Sequence, residues 1–121
     1  MKRPESKQPR KQRKFRARAP LHQRRKFLNV HISKELKAKL KTKKRTTLVK
    51  KGDMVRVTTG QNKGKVSKVV EVDYRKLKIY VEGVTRVNAK GKENFMPVDP
   101  SNVELVEANL DKFREKVLNR I

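Results

Sequence analysis

The chain reads as a mainly β domain with a basic, extended N-terminal arm and a short N-terminal helix ahead of it, and a C-terminal helix behind. Three observations predict this. From Val49 to Gly83, β-branched runs alternate with turn residues, and Val55 and Val57 share one face of a run whose other face carries Arg56, the period of a half-buried strand. Charge is uneven. Of 35 Lys and Arg, 21 fall in residues 1–51 beside two acids, a balance of +19, which leaves +4 of the total +23 for residues 52–121. Near the end, Leu110, Phe113, Val117 and Ile121 recur at helical spacing.

Composition bounds the function. A net charge of +23 on 121 residues points to a polyanionic partner, nucleic acid before an anionic membrane. No apolar run is long enough to span a bilayer, and no hydrophobic segment follows the N-terminal charges as in a secretory signal. The absence of cysteine excludes disulfides and thiolate zinc sites. Aromatics make up 5% of the chain and there is no Trp, so stacked aromatic platforms are poorly supplied.

In chain order, Met1 to Ala19 is almost all Lys, Arg, Gln and Pro, lacks apolar periodicity and is expected to be disordered alone. Leu21, Phe27 and Leu28 fall on one side of a short helix, with arginines outside. Val30 to Ile32 is extended, and Ser33 caps a helix over residues 34–41 that docks through Leu36 and Leu40. Residues 40–48 form a Lys/Arg/Thr linker. After the turn Lys51-Gly52-Asp53 come strands over residues 54–58, 66–72 and 77–81. The loop between the first two, Thr59 to Gly64, is framed by glycines. Its backbone can take φ > 0 and approach a phosphate through main-chain N–H groups flanked by Lys63 and Lys65; alternatively, the glycines make only a tight turn and the lysines are solvated. Asp73 to Lys76 turns the chain. Residues 82–87 continue the sheet, Asn88 to Lys92 is a hairpin loop, and residues 93–98 pair back, with Phe95 as a core aromatic and Pro97 marking an edge. A short strand over 103–106 precedes a helix over 110–120 capped by Asn109, whose apolar face is expected to pack on the sheet.

The residues Lys51-Gly52-Asp53-x-Val55-x-Val57, Gly60, Lys63-Gly64-Lys65 and Lys68-Val69-x-x-Val72 resemble the KOW motif, which builds part of a small SH3-like barrel in ribosomal proteins and transcription elongation factors. That family usually has glycine where this chain has Ser67, and the valines change phase there, which predicts a bulge. Ala19-Pro20-Leu21-His22-x-Arg24, Ser33-Lys34-Glu35-Leu36 and Val98-Asp99-Pro100-Ser101-Asn102-Val103 extend the resemblance to one KOW family, the archaeal and eukaryotic form of universal large-subunit ribosomal protein twenty-four, from about Gln12 to Arg120. It implies three parts: a basic extension with short helices (1–50), a KOW SH3-like barrel (51–107) and a C-terminal helix (108–121).

No catalytic constellation is present, so the chain is not expected to be an enzyme or to need a cofactor. His22 and His31 have no carboxylate or cysteine at ligand spacing, which argues against a metal, and the loop ending at Gly64 is not a Walker loop. The resemblance implies a structural constituent of the large ribosomal subunit. It would bind large-subunit rRNA near its 5′ end, support assembly, lie by the polypeptide exit tunnel of the cytoplasmic ribosome and touch neighbouring ribosomal proteins. No membrane and no small-molecule substrate are implied. The expected RNA-binding residues are Arg10, Lys11, Arg13, Lys14, Arg16 and Arg18 in the arm; His22, Arg24, Arg25 and Lys26 after it; and Lys50, Lys51, Arg56, Gly60, Lys63, Gly64, Lys65, Lys68, Arg75, Lys76 and Arg86 in the domain. The alternatives are a KOW module of an elongation factor, which normally carries a further domain for which 121 residues leave no room, or a small basic DNA-binding chromatin protein.

Overall fold

The computed structural model describes residues 4–119. Seven strands form one mixed sheet: β1 (Asn29–Ile32), β2 (Thr46–Leu48), β3 (Met54–Val57), β4 (Val66–Asp73), β5 (Lys78–Val87), β6 (Glu93–Val98) and β7 (Val103–Glu107). Helices α1 (Pro9–Arg18), α2 (Leu21–Phe27) and α3 (Lys34–Leu40) come from the first third, and α4 (Lys112–Asn119) lies near the end. The strand order is β2-β1-β7-β3-β4-β5-β6. The mainly β class and the meander β3 to β6 with β7 returning to β3 agree with the KOW resemblance. The sheet is nevertheless open and not a closed barrel. Strand β1 pairs in parallel with β7, taking up the edge that closure onto β6 would need.

The core is aliphatic and spans the whole chain. Leu28, Val30, Ile32 and Leu36 from the N-terminal third are buried with Val49, Val55, Val57, Val69, Ile79, Val81, Val103 and Leu105. Val55 and Val57 point inward as their alternation predicts. At Ser67 the pairing of β4 with β3 is regular, and the irregularity lies a little further on, where the register against β5 shifts between Val69 and Glu71. Ser33 caps α3 by accepting the Leu36 amide at 3.2 Å. Lys41 ends the helix in the left-handed region, φ 52°.

Five expectations are corrected. Residues 1–3 lie outside the described residues, and the rest of the arm is not structureless: α1 starts with Pro9 and consists mainly of Lys, Arg, Gln and Ala, which are good helix formers. None of its residues is buried. One tertiary anchor is the edge-to-face contact of Phe15 with Phe27, ring centroids 6.3 Å apart. Leu21 faces solvent on α2 while Leu28, just past its end, is buried. The linker contains β2, which pairs antiparallel with β1. Phe95 is 46% exposed, because past Val84 the β5–β6 ribbon runs out beyond the core. Pro97 does lie on an edge strand.

The fifth correction concerns α4. It starts at Lys112, and its cap is Asp111, whose Oδ1 accepts the Arg114 amide at 2.6 Å, rather than Asn109. The face turned to the core carries Arg114 and Leu118, while Leu110 and Phe113 are exposed; Ile121 lies outside the described residues. The hydroxyl of Thr42 donates to the Leu118 carbonyl at 2.7 Å and ties the far end of α4 to the segment before β2.

Candidate nucleic-acid interface

The arm presents cations on a rod. Arg10, Lys11, Arg13, Lys14, Arg16 and Arg18 are all exposed on α1. Because Phe15 sits on Phe27, the rod is fixed to α2, and the Arg16 guanidinium lies 5.6 Å from the Phe27 ring centroid. His22, Arg25 and Lys26 are exposed on α2.

Arg24 organises this region. Its Nε donates to the Ala19 carbonyl at 2.9 Å, one terminal nitrogen donates to the Ala17 carbonyl, and the other donates to the Arg75 carbonyl at 2.9 Å. The planar fork of guanidinium donors suits this triple task. Arg24 therefore joins the end of α1, the start of α2 and the β4–β5 turn, and brings Arg75 and Lys76 beside the cations of α2. The turn is shaped by Asp73, whose Oδ1 accepts the amides of Arg75 and Lys76 at 2.9 and 3.1 Å, and by Leu77, buried at φ 57°.

The glycine loop forms a second group. Gly60 and Gly64 have φ of 89° and 85°, and an added Cβ would meet nothing within 4 Å at either. The need for glycine there is conformational rather than steric. The amides of Lys63, Gly64 and Lys65 donate to Gly60, Val57 and Asn62 inside the turn, so these three are not available to cradle a phosphate. What the loop offers outward is the exposed side chain of Lys63. Lys65 is also exposed, but its Nζ donates to the Gly83 carbonyl at 2.6 Å. A Cβ on Gly83 would stand 2.7 Å from that nitrogen. Lys68, on β4, and Arg86, on the outer ribbon, face solvent.

Two expected cations carry ion pairs. Lys50 binds Asp111 at 3.0 Å, and Arg56 binds Glu104, its cross-strand neighbour on β7, at 2.9 Å. Lys51 is exposed. Lys44 was not among the expected residues, yet it joins Arg25 and Lys50 around a cavity beside α4; the cationic run Lys43-Lys44-Arg45 was the available signal. Among the described residues, no three His, Cys, Asp or Glu are placed to hold a metal, and no helix is long and apolar enough to cross a membrane.

Fold and surface thus define a small, strongly basic β protein of the KOW type, with cations on α1 and α2, on one Asx turn, on one glycine loop and along the sheet. The family model for the ribosomal proteins called L26 in eukaryotes and, in archaea, by the number twenty-four matches residues 6–121, and the chain belongs to that family. Curated relatives include the large ribosomal subunit protein uL24 of Pyrobaculum islandicum, 43% identical over 114 residues, 93% of this chain and 91% of the relative. Another is the uL24 of Methanothrix thermoacetophila, 46% identical over 116 residues, 95% and 98% of the two chains.

Proposed function

We propose that this chain is a structural constituent of the large ribosomal subunit that binds large-subunit rRNA through phosphate contacts and shape, without catalysis or a cofactor. The observation that carries the reading is the concentration of charge, +19 within residues 1–51, with six of those cations on an exposed helix held in place by Phe15 and Arg24. A rod of cations suits the closely spaced phosphates of folded RNA and releases their counterions on binding.

The three parts divide the work. Residues 1–50 reach along RNA, 51–107 present the Asx turn and glycine loop, and 108–121 lock the sheet. The exposed cations named above, Arg10 to Arg18, Arg25, Lys26, Lys51, Lys63, Lys68, Arg75, Lys76 and Arg86, bind the phosphates, with His22 beside them. Arg24, Lys50, Arg56 and Lys65 position them through their internal bonds. By family, the chain sits near the 5′ end of the large-subunit rRNA, beside neighbouring ribosomal proteins at the exit tunnel of the cytoplasmic ribosome, and supports assembly.

The test is twofold. The tagged chain should co-sediment with large subunits on a sucrose gradient. A fragment of domain I rRNA should also outcompete duplex DNA of equal charge at physiological salt. Equal affinity for both nucleic acids would favour a chromatin protein and overturn the proposal.

A further inference from the structure

A cavity of about 310 Å³ opens between β2 and α4, at the lower end of the range of about 300–1,000 Å³ usual for ligand sites. Three features distinguish it from the rest of the basic surface. Arg25, Lys44 and Lys50 stand around it, and among the described residues the one acid bonded to any of them is Asp111, on Lys50. Phe113 lines it and is 65% exposed, on the face of α4 turned away from the core. Arg114 also lines it. That side chain is 3% exposed, with both terminal nitrogens bonded to Asp53 and one of them also to the Leu48 carbonyl, so it is a fixed wall of the cavity.

A bare aromatic ring beside cations forms a combination that one chemical class satisfies in both its parts. An unstacked nucleotide offers a π face for Phe113 and phosphates for Arg25 and Lys44. Asn29, at the rim, adds an amide able both to donate to and to accept from a base edge. An apolar peptide would leave the cations unused, and a duplex cannot insert a base without unstacking it.

We propose that this cavity receives a single unstacked nucleotide of large-subunit rRNA, its base on Phe113 and its phosphates on Arg25 and Lys44. The inference rests on the rRNA-binding reading above and adds to it a site that touches a base as well as phosphates.

The test compares the full chain with Phe113→Ala, Phe113→Tyr and Lys44→Gln. The probes are uridine and adenosine hexanucleotides, an RNA duplex of equal charge and a domain I rRNA fragment. Phe113 is exposed, so Phe113→Ala is expected to fold as the parent does, checked by circular dichroism. It should weaken hexanucleotide binding about tenfold or more, the loss of one base–aromatic stack, while duplex affinity stays unchanged. Phe113→Tyr should bind the hexanucleotides as the parent does. Lys44→Gln should make the hexanucleotide salt slope shallower by about 0.7. If the parent prefers the rRNA fragment to duplex DNA but Phe113→Ala loses nothing on the hexanucleotides, the cavity does not take a base and this inference falls alone. If the parent shows no preference for rRNA, the reading beneath it falls as well.

Discussion

The guanidinium of Arg114 lies edge-on to the carboxylate of Asp53, with two parallel bonds of 2.7 Å, and the two side chains are 3% and 0% exposed. Asp53 belongs to the turn that opens β3, and Arg114 to the first full turn of α4. Each side chain also bonds the backbone. Asp53 also accepts the amides of Lys50 and Asn109 at 2.9 and 3.0 Å, and Arg114 also donates to the Leu48 carbonyl at 2.9 Å. One ion pair therefore fastens the end of β2, the turn before β3 and the C-terminal helix.

Breaking that pair leaves the other charge buried and uncompensated. Asp53→Ala or Arg114→Leu should each destabilise the chain by about 3–5 kcal/mol in urea denaturation. The double variant Asp53→Ala with Arg114→Leu should be less destabilised than the sum of the two, since no lone charge remains. Additive losses would show that the two side chains act independently.

Asp111 supplies a pH signature. The Arg114 amide, then the Lys50 ammonium, hold its carboxyl below the ordinary value of 3.8. A carboxyl with a lowered folded pKa contributes stability that is fully present above its unfolded value and is lost as pH falls through the folded one. Melting temperatures of the parent and Asp111→Ala should thus differ most above about pH 4 and converge as the pH drops below 3.8. A gap of constant size in acid would mean that the carboxylate charge plays no part.

The glycines separate two causes. Gly64→Ala forces a side chain to φ 85° with open space around it, so it should cost about 1–2 kcal/mol from backbone conformation alone. Gly83→Ala meets the same penalty at φ 77° and also displaces the Lys65 ammonium, so its cost should be larger. Adding Lys65→Ala should recover the excess and leave the conformational part, measurable in thermal melts.

Truncation divides the first fifty residues. A chain lacking residues 1–18 keeps every buried side chain described and should fold cooperatively, with a log K against log salt slope for rRNA shallower by about 0.7–0.9 for each phosphate no longer neutralised. A chain starting at residue 50 loses Leu28, Val30, Ile32 and Leu36 from the core. Each such deletion typically costs about 2–5 kcal/mol, so this fragment should not fold in isolation. Dispersed amide signals from it would contradict the role given to β1.

What the sequence made legible follows from how local each signal is. The alternation of Val55 and Val57, the Ser33 cap and the Asn88–Lys92 hairpin depend on neighbours a few residues away, and all are present. The cation positions were readable because Lys and Arg are solvated wherever the fold leaves them room. Partners distant in sequence were not readable. Asp53 reads as an ordinary turn residue until Arg114, 61 positions later, comes to rest on it. On α4, two stripes compete: Leu110, Phe113 and Val117 on one side, Arg114 and Leu118 beside it. Hydrophobicity favours the first, and only the buried carboxylate makes the second the inner face. Strand β2, three residues just after a cationic run, has no pattern of its own and exists because β1 offers it an edge.

The position of β7 also sets an order of events during synthesis. It is the last strand made, yet it lies between β1 and β3, parallel to the one and antiparallel to the other. Until residue 107 has left the ribosome that is making the chain, β1 and β2 can pair only with each other, and the buried Val30 and Ile32 of β1 lack their neighbour on β7. Closing the sheet then requires bringing together segments more than seventy residues apart, a slow step by the entropy of loop closure. For that interval the nascent chain is a polycation with its apolar residues uncovered, and any shielding must come from whatever molecule meets it first.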